Sequence, residues 1–151
     1  MRMPASWQSE APRPSRTDGV DEHTRRVEML RAIAAAFDAH DLDAIMAHFA
    51  EDAVFESPRG TEAFGTRFVG HDDVRRAFAG RFSGIPDVRY REDDHFVDRD
   101  RGASEWTLSG TTTEGERLEV RGCDLWTFRD GRIGRKDSYW KIRTVPPAEP
   151  S

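Results

Sequence analysis

Cysteine is nearly absent. Cys123 stands alone in 151 residues, which excludes an intrachain disulfide and fits a reducing compartment. Lysine is scarce as well: among 23 basic residues only Lys136 and Lys141 are lysine, which reads as the codon usage of a GC-rich genome. The arginines are scattered among acids rather than gathered into a patch, and the net charge is −5. Neither nucleic acid nor an anionic membrane is therefore expected as a partner. No apolar run reaches the length of a signal-peptide core or a membrane span, so a cytoplasmic protein is predicted. His-x-x-x-His, Cys-x-x-Cys and clustered Asp/His spacings are missing, and no metal is predicted. A phosphate loop and a dinucleotide fingerprint are missing too; Gly60-x-x-x-x-Gly65 lacks the following lysine, and no cofactor is predicted.

What is present reads as one domain between two tails. Residues 1–20 carry Pro4, Pro12, Pro14 and Gly19 without periodicity, and residues 145–151 carry Pro146, Pro147 and Pro150; both read as disordered. The ordered unit is expected over residues 21–144. Val27, Leu30, Ala34 and Phe37 recur at helical spacing over residues 21–39. A break at His40-Asp41 follows, and Asp41 should cap a short second helix with the stripe Leu42, Ile45, Phe49. A brief strand over residues 53–57 should stop at Pro58, and the segment through Gly60 and Gly65 reads as a loop. A third helix should follow Gly70, with Val74, Phe78 and Phe82 inward. Thereafter residues 88–97, 103–113, 118–128 and 132–142 read as strands joined by turns, an antiparallel meander. Helices first and a meander afterwards give an α+β layout, three helices packed on one face of a curved antiparallel sheet.

The chemistry should sit in the last two strands. Alternate residues from Leu118 read Leu118, Val120, Gly122, Asp124, Trp126, Phe128, so Asp124 shares an apolar face. After the Asp130-Gly131 turn, Asp137 falls between Ile133 and Tyr139 at the same period. A carboxylate on an apolar face is costly unless paired, hydrogen-bonded or protonated, and two on neighbouring strands suggest a pocket. The plain alternatives are that Asp124 is neutralised by Arg135 or Lys141, that Asp137 pairs with Lys141, and that Glu105 pairs with an arginine. His40, His48 and His71 read as structural, His95 could reach a pocket mouth, and Cys123 reads as packing.

Trp106-Thr107-Leu108-Ser109-Gly110 and the run Arg121-Gly122-Cys123-Asp124-Leu125-Trp126-Thr127-Phe128-Arg129-Asp130-Gly131-Arg132-Ile133, together with Phe49-Ala50-Glu51-Asp52-Ala53-Val54-Phe55 and Gly70-His71-Asp72, resemble the SnoaL-like branch of the nuclear transport factor 2-like superfamily. The resemblance implies a cone-shaped α+β barrel with a deep pocket between sheet and helices, often dimeric through the outer sheet face. It also brings three known activities, each matched in part. Asp124 matches the acid/base of the polyketide cyclases, but Gly110-Thr111-Thr112 stands where their Gly-Thr-His would be. Asp124 also matches the oxyanion-hole acid of ketosteroid isomerase, with Ser57 at that enzyme's base and Ile33 at its tyrosine. Asp137 matches one aspartate of limonene epoxide hydrolase, with Glu105 and Thr107 at its arginine and second aspartate.

The register implied by these matches turns Phe55, Ser57, Glu105, Thr107, Ser109, Asp124, Trp126, Asp137 and Tyr139 toward the pocket. It leaves Trp106, Leu108, Trp140 and Ile142 on an outer, dimer-forming face. Alternation alone would turn Trp106 and Leu108 inward. Crowded carboxyls in an apolar cleft shift at least one pKa upward and leave an acid beside a base. The expectation is a cofactor-independent acid/base enzyme on an apolar oxygenated small molecule, most simply a cyclase or isomerase of polyketide-like or terpenoid-like biosynthesis. Asp124, Asp137, Tyr139 and Glu105 would be its catalytic groups, with Phe55, Ser57, Thr107, Ser109 and Trp126 binding substrate. An epoxide hydrolase, or a non-catalytic binding or dimerisation module, is the alternative, and a homodimer is expected.

Overall fold

A computed structural model describes residues 16–145 and 147. The elements run α1 (Arg16–Asp38), α2 (Leu42–Met46), β1 (Phe49–Glu62), β2 (Gly65–Val69), α3 (His71–Gly84), β3 (Arg89–Asp98), β4 (Arg101–Thr111), β5 (Arg117–Arg129) and β6 (Arg132–Trp140). Residues 16–20, expected in the tail, belong to α1; the other tail expectations, for residues 1–15, 146 and 148–151, lie outside the described residues. Among the described residues no helix is long and apolar enough to cross a membrane.

The α1 stripe buries Leu30, Ile33 and Phe37 at three- and four-residue spacing. His40 ends the helix in the left-handed region, φ 57°, a conformation that closes helices. Asp41 then starts α2, its carboxylate accepting the Ala44 N–H at 3.1 Å. In α3, Val74 and Phe78 are buried one turn apart. The rings of Phe37, Phe49, Phe55 and Phe78 meet edge-on or tilted with centroids 4.9 to 5.5 Å apart, joining the helices to the sheet.

The strands form one six-stranded sheet in the order β2-β1-β6-β5-β4-β3. It is curved and unclosed, with the three helices packed on it, as the α+β expectation has it. Neighbours are antiparallel except β1 and β6, which run parallel, making the sheet mixed. The brief strand ending at Pro58 is corrected as well: β1 runs through Pro58 and returns as β2. Pairing is irregular between Ser57 and Glu62, so the proline sits where no ladder N–H is required.

In β4 the inner face carries Ser104, Trp106, Leu108 and Gly110, all buried, while Glu105, Thr107 and Ser109 face outward. The hydrophobic pattern therefore sets the register, not the motif match. Each large apolar side chain gains roughly 1.5–3 kcal/mol on burial, and the alternative would expose two of them. Trp140 also turns inward, edge-on to Trp106. Ile142 lies beyond the strand and is exposed.

Gly122 permits this arrangement. It pairs with Trp106 across the β4–β5 ladder, and a Cβ there would lie 2.4 Å from the indole and 2.7 Å from the Tyr139 carbonyl. Gly122→Ala is predicted to cost about 1–3 kcal/mol by overpacking and to change the near-ultraviolet tryptophan signal. Urea unfolding matching wild type would show that the indole does not need this gap.

Candidate functional site

Two β-bulges decide which side chains enter the space beneath α1 and α3. In β3 the pairing with β4 slips between Arg91 and Asp94, and Glu92 takes φ 55°. Tyr90 and His95 are five residues apart and would face opposite ways on a regular strand. The extra residue returns both to the inner face, opposite Leu108 and Ser104. In β6 the pairing with β5 jumps from Phe128↔Ile133 to Thr127↔Arg135, leaving Gly134 as the extra residue. Ile133, Lys136 and Ser138 are consequently all buried on the inner face, and Asp137 and Tyr139 turn outward.

Asp124, 5% exposed, is bonded on both oxygens. Its Oδ1 accepts from Lys136 Nζ at 2.9 Å and from Ser138 Oγ at 2.5 Å, and its Oδ2 accepts from the Trp106 indole at 2.8 Å. Lys136 also donates to Ser138 Oγ at 2.8 Å. Its ammonium lies 4.8 Å from the Phe55 ring centroid, 5.2 Å from Phe37, 5.5 Å from Phe78 and 5.7 Å from Trp126, an aromatic cage that favours a cation. Burial pulls the Lys136 pKa down from the lysine range, and the Asp124 charge opposes that pull. Arg135 and Lys141 are not the neutralising partners; Lys136, between them, is.

A second polar chain crosses the same space. The Trp126 indole donates to Ser104 Oγ at 2.9 Å, Ser104 Oγ lies 2.7 Å from His95 Nδ1, and His95 Nε2 lies 2.7 Å from Asp93 Oδ2. A carboxylate oxygen accepts, so the imidazole places its N–H at Nε2 toward Asp93 and leaves Nδ1 to accept from the Ser104 hydroxyl. The imidazole is 5% exposed and the Asp93 carboxylate 45%. The chain therefore leads from solvent to a buried hydroxyl.

Two clefts meet here. His95, Asp93, Ser104 and Asp124 line the first, Arg81 and Ser138 the second, and Phe37, Tyr90, Trp106 and Lys136 wall both. In each the space open to the centre of a water molecule is about 30 Å³, enough for about two waters. A ring-bearing ligand requires them to widen.

Among the expected site residues, Asp124, Trp126 and Phe55 are inside. The rest are not brought to them. Asp137 accepts from the Tyr139 hydroxyl at 3.1 Å and lies 3.6 Å from Arg135, not on Lys141; that bond raises the Tyr139 pKa. Glu105 pairs with Arg121 at 3.6 Å, and Thr107 accepts from the same arginine at 3.0 Å. Ser109 shares that outer face, and Ser57 donates to the Arg59 carbonyl at 2.9 Å. The physical reason is common to Asp137 and Tyr139: the Gly134 bulge reverses the parity on which their inward placement was argued. Glu56, buried on the outer face, is held by Arg67 at 2.7 Å and by Arg135. His40 and His71 bond backbone carbonyls of Val88 and Met46 at 2.7 and 3.0 Å, as structural histidines do.

Lys136, Ser138, Ser104, Asp93, Tyr90 and Arg81 escape the reading of the sequence. One signal was available for Lys136: a lone lysine kept in an arginine-rich strand. For Ser138, Asp93 and Tyr90 the bulges hide the pattern; Ser104 was lost with the face of β4, and nothing in the α3 pattern marks Arg81.

The SnoaL-like domain model matches residues 30–135. The chain belongs to the SnoaL-like family. No curated protein matches it in sequence. Among solved structures, a candidate polyketide cyclase from Xanthomonas campestris pv. campestris superposes with TM-score 0.71 at 20% identity, over 79% of this chain and 92% of that one. An NTF2-like protein of unknown function from Mesorhizobium loti gives 0.66 at 26%, over 80% and 93%. A candidate isomerase from Bacillus subtilis gives 0.66 at 23%, over 78% and 87%. These structures share the fold, and the two that carry an activity name differ in it.

Removing one member of the buried pair should cost more than removing both. Asp124→Ala is predicted to destabilise by about 3–5 kcal/mol, because it strands the ammonium. The double variant Asp124→Leu/Lys136→Met should recover most of that loss in urea unfolding. A pH dependence follows as well. The folded Lys136 pKa lies below its unfolded value, so between the two the unfolded chain holds more protons and stability rises with pH. Lys136→Met should flatten that alkaline rise.

Proposed function

We propose that this SnoaL-like protein is a cofactor-independent acid/base enzyme acting on an apolar, oxygenated small molecule, a cyclase or isomerase of polyketide-like or terpenoid-like biosynthesis. One observation carries the reading: the Asp93–His95–Ser104 chain, which links solvent to a hydroxyl in an aromatic-walled interior. His95 replaces the histidine missing from Gly110-Thr111-Thr112 by entering from the neighbouring strand.

In this reading a C–H beside a carbonyl gives its proton to Ser104 Oγ as the hydroxyl proton passes to His95 Nδ1. Asp93 balances the imidazolium. The enolate oxygen is stabilised by the Lys136 ammonium and the Tyr90 phenol, donors already inside the low-dielectric clefts. Return of the proton to another carbon completes an isomerisation. Attack of the enolate carbon on a second carbonyl, whose oxygen takes the proton, completes a ring closure. Asp124 holds Lys136 in place rather than shuttling protons, since both its oxygens are already engaged by three donors. Trp126 and Phe55 remain walls. Epoxide opening is disfavoured because Asp137 lies on the other face. A binding module is the second reading, favoured by the neutralisation of Asp124. A cytoplasmic location belongs to the proposal on the strength of the lone cysteine. Homodimerisation also belongs to it, although the aromatic row expected on the outer face points inward; Tyr139, Glu105, Arg121 and Cys123 stand there instead.

The test uses cyclohex-3-en-1-one as a one-ring probe, followed by ultraviolet absorbance of the conjugated enone. Wild type should accelerate the shift, His95→Gln should lose about 10²–10⁴-fold of the acceleration, and Asp137→Asn should retain it. Equal rates for wild type and His95→Gln, both with native circular dichroism, would remove the acid/base reading and leave the binder.

A further inference from the structure

The second cleft carries positive charge that the protein does not answer. Arg81 projects from the last turn of α3 and is half-buried, with its guanidinium 4.4 Å from the Trp140 ring centroid. Among the described residues no carboxylate forms an ion pair with it. Burial pulls its pKa down, and the charges that act on it come from Tyr90, Arg59 and Asp124. Arg59 lies over the same indole at 5.4 Å, so Trp140 is flanked by two cations. Lys136 lines this cleft too. Its charge is answered directly by Asp124, which leaves Arg81 without an ion-pair partner among the described residues. The Tyr90 phenol walls the cleft and donates to no acceptor among the described residues; burial raises its pKa, so it stays a donor. In a chain of net charge −5, a half-buried cation with free donors over an apolar floor is costly without a counter-ion.

We propose that the Arg81 cleft is a subsite for a single oxyanion, a carboxylate or an ionised enol, carried on an apolar ring. Arg81 would hold the oxygens through its planar fork and Tyr90 would add a hydrogen bond. Phe55, Phe78 and Trp140 would pack against the ring. The inference rests on the reading of the two clefts as the ligand site, and it narrows the substrate to acidic ring compounds rather than neutral ketones alone. Arg81 is here a binding residue; the proton transfer stays with His95 at the other cleft.

Benzoate and benzamide, alike in shape and different in charge, are the probes, titrated calorimetrically into the full chain. Wild type should prefer benzoate by about tenfold or more, and added salt should weaken that preference only modestly because the site is recessed. Arg81→Gln should bind the two alike. Arg81→Lys should keep part of the preference, and His95→Gln all of it. Equal binding of both probes by wild type, no saturable benzoate binding, or a preference unchanged in Arg81→Gln would each overturn the subsite. Because the readout is binding, a failure here leaves the His95 isomerisation result standing, and a failure there leaves this one. Should Arg81→Gln lose native circular dichroism, the wild-type preference and its retention in Arg81→Lys decide the matter.

Discussion

The buried pair Lys136–Asp124 constrains everything around it. An ammonium and a carboxylate removed from water each carry a desolvation cost of several kcal/mol, and the fold meets it with a full set of partners. Trp106 and Ser138 complete the carboxylate, and aromatic rings close around the ammonium. These partners come from β1, β4, β5, β6, α1 and α3, so the pair fixes the helices against the sheet as well as the strands against one another. It also sets the chemistry of the interior. Asp124 has both oxygens engaged, by Lys136 and Ser138 on one and Trp106 on the other, and so holds the cation in place.

Much of the fold was legible because it follows from local rules. The α1 stripe, the break at His40, the Asp41 cap and the turns of the meander each have a residue that dictates them. The β5 row from Leu118 to Phe128 was read with the correct face inward, and Asp124 and Trp126 came with it. The faces of β6 and the placing of Tyr90 beside His95 were not legible, because strict alternation carries across a strand only when no residue is inserted. Gly134 and the Glu92–Asp93 step each insert one. A single extra residue exchanges Asp137 and Tyr139 for Lys136 and Ser138, which amounts to exchanging an acid pair for a salt bridge. The error in β4 was of another kind. There Trp106 and Leu108 stated their own face through hydrophobicity, and the motif match pointed the other way.

The resulting interior divides by charge. At one end a histidine, braced by a half-exposed aspartate, meets a buried hydroxyl; at the other an arginine with no ion pair among the described residues faces an aromatic floor. Base and cation at opposite ends of one apolar space suit a substrate that loses a proton at carbon and gathers charge on oxygen. The SnoaL-like fold supplies the frame, and the two bulges supply the particular site.

The most direct test is where a ligand lands. With uniformly ¹⁵N-labelled protein, benzoate should shift the indole N–H resonances of Trp106 and Trp126, which bond Asp124 and Ser104 inside. The amides of Glu105, Cys123 and Tyr139 on the outer face should stay in place. Shifts confined to the outer face, with both buried indoles unmoved, would contradict an interior site.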